Sequence, residues 1–271
     1  MSPSDLGQHL KPFVFLDIFN ADKHMVQAMQ SGKGMPIHPH SGVATVTVFT
    51  KGTVRFDDPE AGTGELTYGG VEWMRAGNGV WHGQEMTPKS TSGMQGFQLW
   101  LALPPEVENG RPENRYIEAN DMPQVGPAYL IVGRYDGIDS PVPAPEGTNY
   151  LLVTLKPGER WTYTPPQDHS LAWLALANGS LNVNGSVSKG EMVLFENGDA
   201  ALEIQSTSNE DAVFVLGSAV PHPYQLHLGN YSVHTSAEAL KIGEDRIKEL
   251  GKKLREAGDR QTASGTVPVY R

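Results

Sequence analysis

Hydrophobic and polar positions alternate along much of this chain in short runs, each closed by Gly, Pro, Asn or Asp. Residues 43–56, VATVTVFTKGTVRF, place β-branched and aromatic residues in near alternation and break once at Lys51-Gly52. That pattern predicts two antiparallel strands joined by a hairpin turn. GELTYGG, VEWMRA and FQLWLAL repeat it at the spacing of a sandwich or small barrel. Residues 105–127 turn polar and proline-rich, and the stretch that follows, to about Ser140, reads as the crossing into a second unit.

The second half repeats the first in outline. LAWLALANGSLNVNGSVSKGEMVLFENGDAALEI runs strand, Asn178-Gly179 turn, strand, Lys189-Gly190 turn, strand, matching the order around VTVFTKGTVRF and GGVEWMRAGNGVWHGQE. The expectation is an all-β chain of two barrels, residues 1–125 and 126–235, followed by a helix and tail over 236–271. The helix is predicted in SAEALKIGEDRIKELGKKLREAG, with Ser236 as N-cap, Leu240, Ile247, Leu250 and Leu254 near one face, and Gly258 as the stop. Gly243 and Gly251 each weaken such a helix by about 1 kcal/mol relative to alanine. The tail from Gln261 to Arg271 is expected to be mobile.

Composition narrows the function. A net charge of -10 over 271 residues, without a basic cluster in the body of the chain, argues against direct nucleic-acid binding. With no cysteine, disulfides, thiolate catalysis and cysteine-ligated metal sites are excluded. The opening MSPSDLGQHLKPFVFLDIF lacks a basic segment followed by an apolar run of signal-peptide length, and no later stretch reaches membrane-spanning length. A cytoplasmic protein without membrane attachment is expected.

Candidate chemistry centres on MPIHPHSG. His38 and His40 stand two residues apart, so on an extended strand both imidazoles leave the same face, which is metal-ligand spacing. A third histidine, His82 in NGVWHGQE, lies where a later strand can return beside the first. Alternation puts Gln84 on the face of His82 and Glu85 opposite, unless the backbone bulges at Gly83. Glu85 is preferred as a fourth ligand on charge, with Gln84 the alternative. Neutral imidazoles with a carboxylate suit one divalent first-row ion, and the absence of thiolates disfavours a closed structural zinc site. His222, His227 and His234 are spaced to scatter over both strand faces and are read as non-ligating. Trp73, Trp81 and Trp100 fit core packing better than substrate stacking.

The order HPHSGVATVTV, VEWMRAGNGVWHGQEM, GFQLWLALP resembles the pirin branch of the cupin superfamily, with its HPHxGxETVTY, WMTAGxGxxHxEMP and GLQLWxxLP segments. LKPFVFLDIF, SPVPAPEGTNYLLVTLKPGERW and LHLGNYSVHTSAEAL extend the resemblance over most of the chain. It implies two tandem cupin-type jelly-roll barrels with a C-terminal helix, and a metal, Fe(2+) first and Mn, Ni, Cu or Zn also compatible. The resemblance implies His38, His40 and His82 as ligands together with a glutamate. In pirins that glutamate follows the histidine by two residues; here Glu85 follows by three, leaving the choice between Glu85 and Gln84. Ser41 and Ala44 stand where pirins carry arginine and glutamate. In the second barrel Pro165, Gln167 and Leu202 fall opposite the three histidines, and His169 is read as a surface or turn residue. The implied activity is quercetin 2,3-dioxygenase chemistry on a small aromatic substrate, with Glu85 as ligand or base. The alternative is a non-catalytic metal protein acting through a protein partner.

Overall fold

In the computed structural model, which describes residues 1–32, 35–89 and 92–271, the chain forms two compact units. The first comprises Met1–Ala119 with His222–Arg271, and the second Asn120–Pro221. Residues 222–235, grouped by the sequence expectation with the second barrel, therefore cluster with the first unit.

The first unit contains strands β1 (Phe13–Ala21), β2 (His38–His40), β3 (Val43–Lys51), β4 (Val54–Asp58), β5 (Gly62–Leu66), β6 (Val71–Arg75), β7 (Val80–His82), β8 (Met86–Pro88), β9 (Met94–Ala102) and β10 (Glu113–Ile117). The expected hairpin at Lys51-Gly52 joins β3 to β4, with Gly52 at φ 88°. A five-stranded antiparallel sheet runs β1-β9-β3-β6-β10, accompanied by β5-β4-β8 and by the short pair β2-β7. Valines of β3, with Phe97, Leu99 and Leu101 of β9, are wholly or almost wholly buried, and Thr45 and Thr47, which alternate with the valines, are buried as well. Register places Thr45 between Trp100 and Met74, and Thr47 between Gln98 and Glu72. The sheet thus carries polar groups at the level of Thr47 among its apolar ones.

The second unit has a six-stranded sheet in the order Gln124–Val125, Ala128–Val132, Thr148–Leu155, Ala212–Ala219, Leu171–Asn178 and Met192–Leu194. A four-stranded sheet, Arg160–Tyr163, Leu202–Ser206, Ser180–Asn182 and Ser186–Ser188, accompanies it. Leu130, Leu151, Leu174, Leu176, Phe214 and Leu216 form its core. His169 is not a surface residue: it is 5% exposed, and Nδ1 lies 2.9 Å from the hydroxyl of Ser218.

The C-terminal helix spans Ala237–Ala257, with Ser236 accepting from the amide of Ala239 and Gly258 following at φ 67°. Its buried stripe is Ala239, Gly243, Ile247, Leu250 and Gly251. Both glycines therefore lie on the inner face. A Cβ on Gly243 would come 2.4 Å from Ser41 Oγ and 2.6 Å from His234 Nε2, and one on Gly251 would come 2.7 Å from the indole of Trp81. The tail, expected to be mobile, runs instead beside β7. Trp81 exchanges backbone hydrogen bonds with Tyr270 at 2.8 and 2.9 Å, and the amide of Val267 donates to the carbonyl of Gln84 at 2.6 Å.

Candidate metal centre

Strands β2 and β7 pair antiparallel with His38 directly opposite His82. The three imidazoles meet, with ring centroids 4.9 Å apart for His38 and His40, 4.6 Å for His38 and His82, and 4.9 Å for His40 and His82. One ligand nitrogen from each lies within 4.8 Å of the others. Close approach of the strands depends on Gly83 (φ 131°), where a Cβ would come 3.0 Å from His38 Nδ1 and from the carbonyl of Pro36.

The hydrogen bonds on these rings decide their tautomers. Nδ1 of His38 lies 3.0 Å from the Pro36 carbonyl, Nδ1 of His40 lies 3.1 Å from the Tyr231 carbonyl, and Nδ1 of His82 lies 2.8 Å from Glu85 Oε1. Carbonyl and carboxylate oxygens only accept, so each Nδ1 carries the proton and donates it. In the neutral rings each Nε2 is left with its lone pair, and that of His82 is buried without a partner among the described residues. Ligating histidines are characteristically held in this way, by a carbonyl or carboxylate on the far nitrogen. Burial lowers the pKa of His38 and drives that of His40 well down, each ring further disfavouring charge on its neighbours. Both are therefore neutral donors near pH 7.

Around His82 the electrostatics reverse. Burial opposes its charge, but the Glu85 carboxylate, its hydrogen bond and the more distant Glu72 outweigh burial and raise its pKa. Burial likewise pushes the Glu85 carboxyl up, yet His82 and nearby backbone amides hold it at about 2. Glu85 is 3% exposed and has both oxygens engaged, Oε1 on His82 and Oε2 on the amide of Gly83 at 2.6 Å. Gln84 instead turns its amide to the carbonyl of Met35. Of the two candidates for a fourth donor, Glu85 is thus the inward residue, on the Nδ1 edge of His82.

A second carboxyl went unnoticed in the sequence. Glu72 on β6 is 1% exposed, and it groups with His82 and Glu85 within 4.8 Å. Its Oε2 accepts from the hydroxyl of Thr47 at 2.7 Å, while Oε1 has no partner among the described residues. Burial first, and the Glu85 charge second, raise its pKa from 4.5 to about 7. A glutamate inside the otherwise apolar run VEWM was the available signal.

His234, set aside on spacing, is buried in a polar chain behind the site. Its Nε2 lies 2.9 Å from Ser41 Oγ and its Nδ1 3.2 Å from Glu108 Oε2. Ser41 also donates to Ser232 at 2.9 Å, and Glu108 accepts from the amide and hydroxyl of Thr235. Of the tryptophans, Trp73 is core at 2% exposure, and Trp81 donates from Nε1 to the carbonyl of Ile247 in the C-terminal helix. Trp100 is half-buried, with its ring edge-on to His40 at 4.6 Å and stacked on Phe15 at 4.5 Å.

Fold and site together define a bicupin protein whose first barrel carries a three-histidine cluster with two buried carboxyls beside it. Comparison with known proteins makes the class specific: the pirin family profile matches residues 2–101. A Vibrio cholerae protein named as a putative quercetin 2,3-dioxygenase is 30% identical over 244 residues, covering 85% of this chain and 83% of the relative. Pirin-1 of Arabidopsis thaliana is 29% identical over 244 residues, covering 84% and 79%. The chain belongs to the pirin family. Among solved structures, a quercetin 2,3-dioxygenase from Acinetobacter baumannii superposes with a TM-score of 0.74 at 24% identity, covering 93% of this chain and 89% of the other. A bacterial pirin from Escherichia coli, solved in complex with nickel(II), gives 0.60 at 17% identity, covering 82% and 87%. These two likenesses bear on the fold. Among the described residues no helix is long and apolar enough to cross a membrane.

Proposed function

We propose that this protein is a metal-dependent dioxygenase acting on flavonol-type aromatic substrates, with its ion held by Nε2 of His38, His40 and His82. The observation that supports the reading is the approach of one ring nitrogen from each histidine to within 4.8 Å, with each Nδ1 engaged by an acceptor so that Nε2 is the nitrogen available in the neutral ring. Such a donor set fits a first-row divalent ion, with Fe(2+) the proposed one and Mn, Ni, Cu or Zn compatible with the same nitrogens. When bound, the ion would supply a Lewis-acid and redox centre for an electron-rich substrate and dioxygen.

The remaining work falls to the chain's own side chains. Glu85 orients His82 and, from there, sets the basicity of its Nε2. Glu72, whose Oε1 has no partner among the described residues, is the group assigned to take the substrate's hydroxyl proton, whereas the sequence reading offered Glu85 as ligand or as that base. Trp100, beside His40, offers a flat apolar wall to an aromatic ring.

Oxygen uptake with quercetin by iron-loaded protein, set against His40→Ala, tests the reading. Metal-dependent uptake lost in the variant is expected; none across a flavonol panel would remove it. The second reading, a regulatory metal protein acting through a protein partner, draws on Ser41 and Ala44 in place of the family's arginine and glutamate. It predicts stoichiometric metal without uptake.

A further inference from the structure

Tyr231 sits at the tip of the hairpin formed by His227–Leu228 and Val233–His234. It has φ 57°, the left-handed region that a bulky side chain rarely occupies. Its neighbours Gly229 and Asn230 are residue types that tolerate this conformation, yet neither adopts it. The turn thus places its strain on an aromatic residue. Nor does the backbone bond explain the choice, because the Tyr231 carbonyl that accepts from His40 Nδ1 is common to every amino acid. Core packing is no better an account, since the side chain is 50% exposed.

What remains is where the ring points. Its centroid lies 5.6 Å from that of His38, 5.9 Å from His40 and 6.5 Å from Trp100, tilted by 50° to the indole. Trp100 is itself fixed from behind by Phe15. An exposed ring and a half-buried one therefore both border His40, and the exposed one borders His38 as well. Strain in native backbones gathers at functional positions, where it is retained because the geometry is used.

We infer that Tyr231 is held in this conformation to present its ring as a stacking face for a planar aromatic substrate over the histidine cluster, with Trp100 as the second face. The inference rests on the proposed flavonol reading and adds a specificity-determining residue to it. Tyr231 has two separable parts: its carbonyl serves the metal ligand, and its ring serves the substrate.

The test uses zinc-loaded protein, in which quercetin binding is read at equilibrium without turnover, for wild type, Tyr231→Gly and Tyr231→Phe. Glycine keeps the carbonyl and accepts positive φ without cost, so zinc affinity should stay within about twofold of wild type. The melting temperature should hold or rise by about 2–4 °C. Quercetin should bind about tenfold more weakly to Tyr231→Gly, as loss of an aromatic stack implies, and within about threefold of wild type to Tyr231→Phe. A residue kept for stability alone gives the opposite pattern, a fall in melting temperature with unchanged quercetin affinity, and that result overturns the inference. Wild type that binds zinc but not quercetin overturns the flavonol reading itself, and this inference with it.

Discussion

Glu85 Oε1 accepts from Nδ1 of His82 at 2.8 Å, on the ring edge away from Nε2, the nitrogen proposed to bind the metal. Its other oxygen is taken by the Gly83 amide, so under the proposed function the carboxylate supports a metal ligand. Supports of this kind are worth about 10–100-fold in metal affinity. Glu85→Ala should weaken zinc binding by that range in a competitive titration. Glu85→Gln, which keeps an acceptor for Nδ1–H, should lose less, and Gln84→Ala should stay within about twofold. A larger loss at Gln84 than at Glu85 would reverse the assignment.

The two buried carboxyls should pull metal-free stability in opposite directions with pH. Glu72 is raised from 4.5 to about 7, so the folded state holds its proton more tightly than the unfolded chain. Its favourable share is whole below pH 4.5 and is lost as pH climbs through 7. Glu85 is held at about 2, so its share is present above pH 4.5 and lost as pH falls toward 2. In chelator-treated protein, Glu72→Gln should raise the urea midpoint at pH 8 and leave it nearly unchanged at pH 5. Equal shifts at both values would show that the Glu72 charge is not what matters. In the iron-loaded protein the same substitution should abolish uptake with quercetin.

Helix propensity alone predicts that alanine at Gly243 or Gly251 stabilises the protein by about 1 kcal/mol. The structure predicts the reverse. Added methyl groups would meet Ser41 Oγ and His234 Nε2 at one position and the Trp81 indole at the other, and overpacking of this kind costs about 1–3 kcal/mol. Each variant should melt lower than wild type. Because Ser41 follows His40 and Trp81 precedes His82, each should also bind zinc more weakly. Gly258→Ala, where no atom lies within 4 Å of the added carbon, should leave zinc affinity unchanged.

These glycines mark what could be read from the sequence. Alternation and turn residues located the β3–β4 hairpin, Ser236 and Gly258 bounded the terminal helix, and the spacing of His38, His40 and His82 picked out rings that do meet. Those features are local, or repeat at fixed intervals. Glycine inside a helix looked like a defect because its benefit lies in a contact 202 positions away, between Gly243 and Ser41. His234 was discounted for the same reason: strand-face spacing says nothing of Ser41 and Glu108, which reach it from distant segments. Glu72 was passed over because an alternating strand assigns a face without saying what fills it. Tyr231 left no trace, since positive φ in a tyrosine is visible only in the folded backbone.

The tail gives a last prediction. Trp81 is paired on its backbone with Tyr270, Gln84 with Val267, and Thr266 donates to the carbonyl of Asp57 at 2.8 Å. Val269 and Thr266 are buried, and residues 266–271 hold β7 and the turn after it through isolated bridges at Trp81 and Gln84. Strand β7 is only three residues long, and its pairing with β2 joins the two segments that carry the proposed ligands. Deleting residues 266–271 removes one neighbour of β7 and leaves the five-stranded sheet intact. The truncated protein should keep its far-ultraviolet circular dichroism, while the Trp81 amide loses protection from hydrogen exchange and zinc affinity falls at least tenfold. Retained protection at Trp81 with unchanged zinc affinity would mean that β2 alone holds β7 in place.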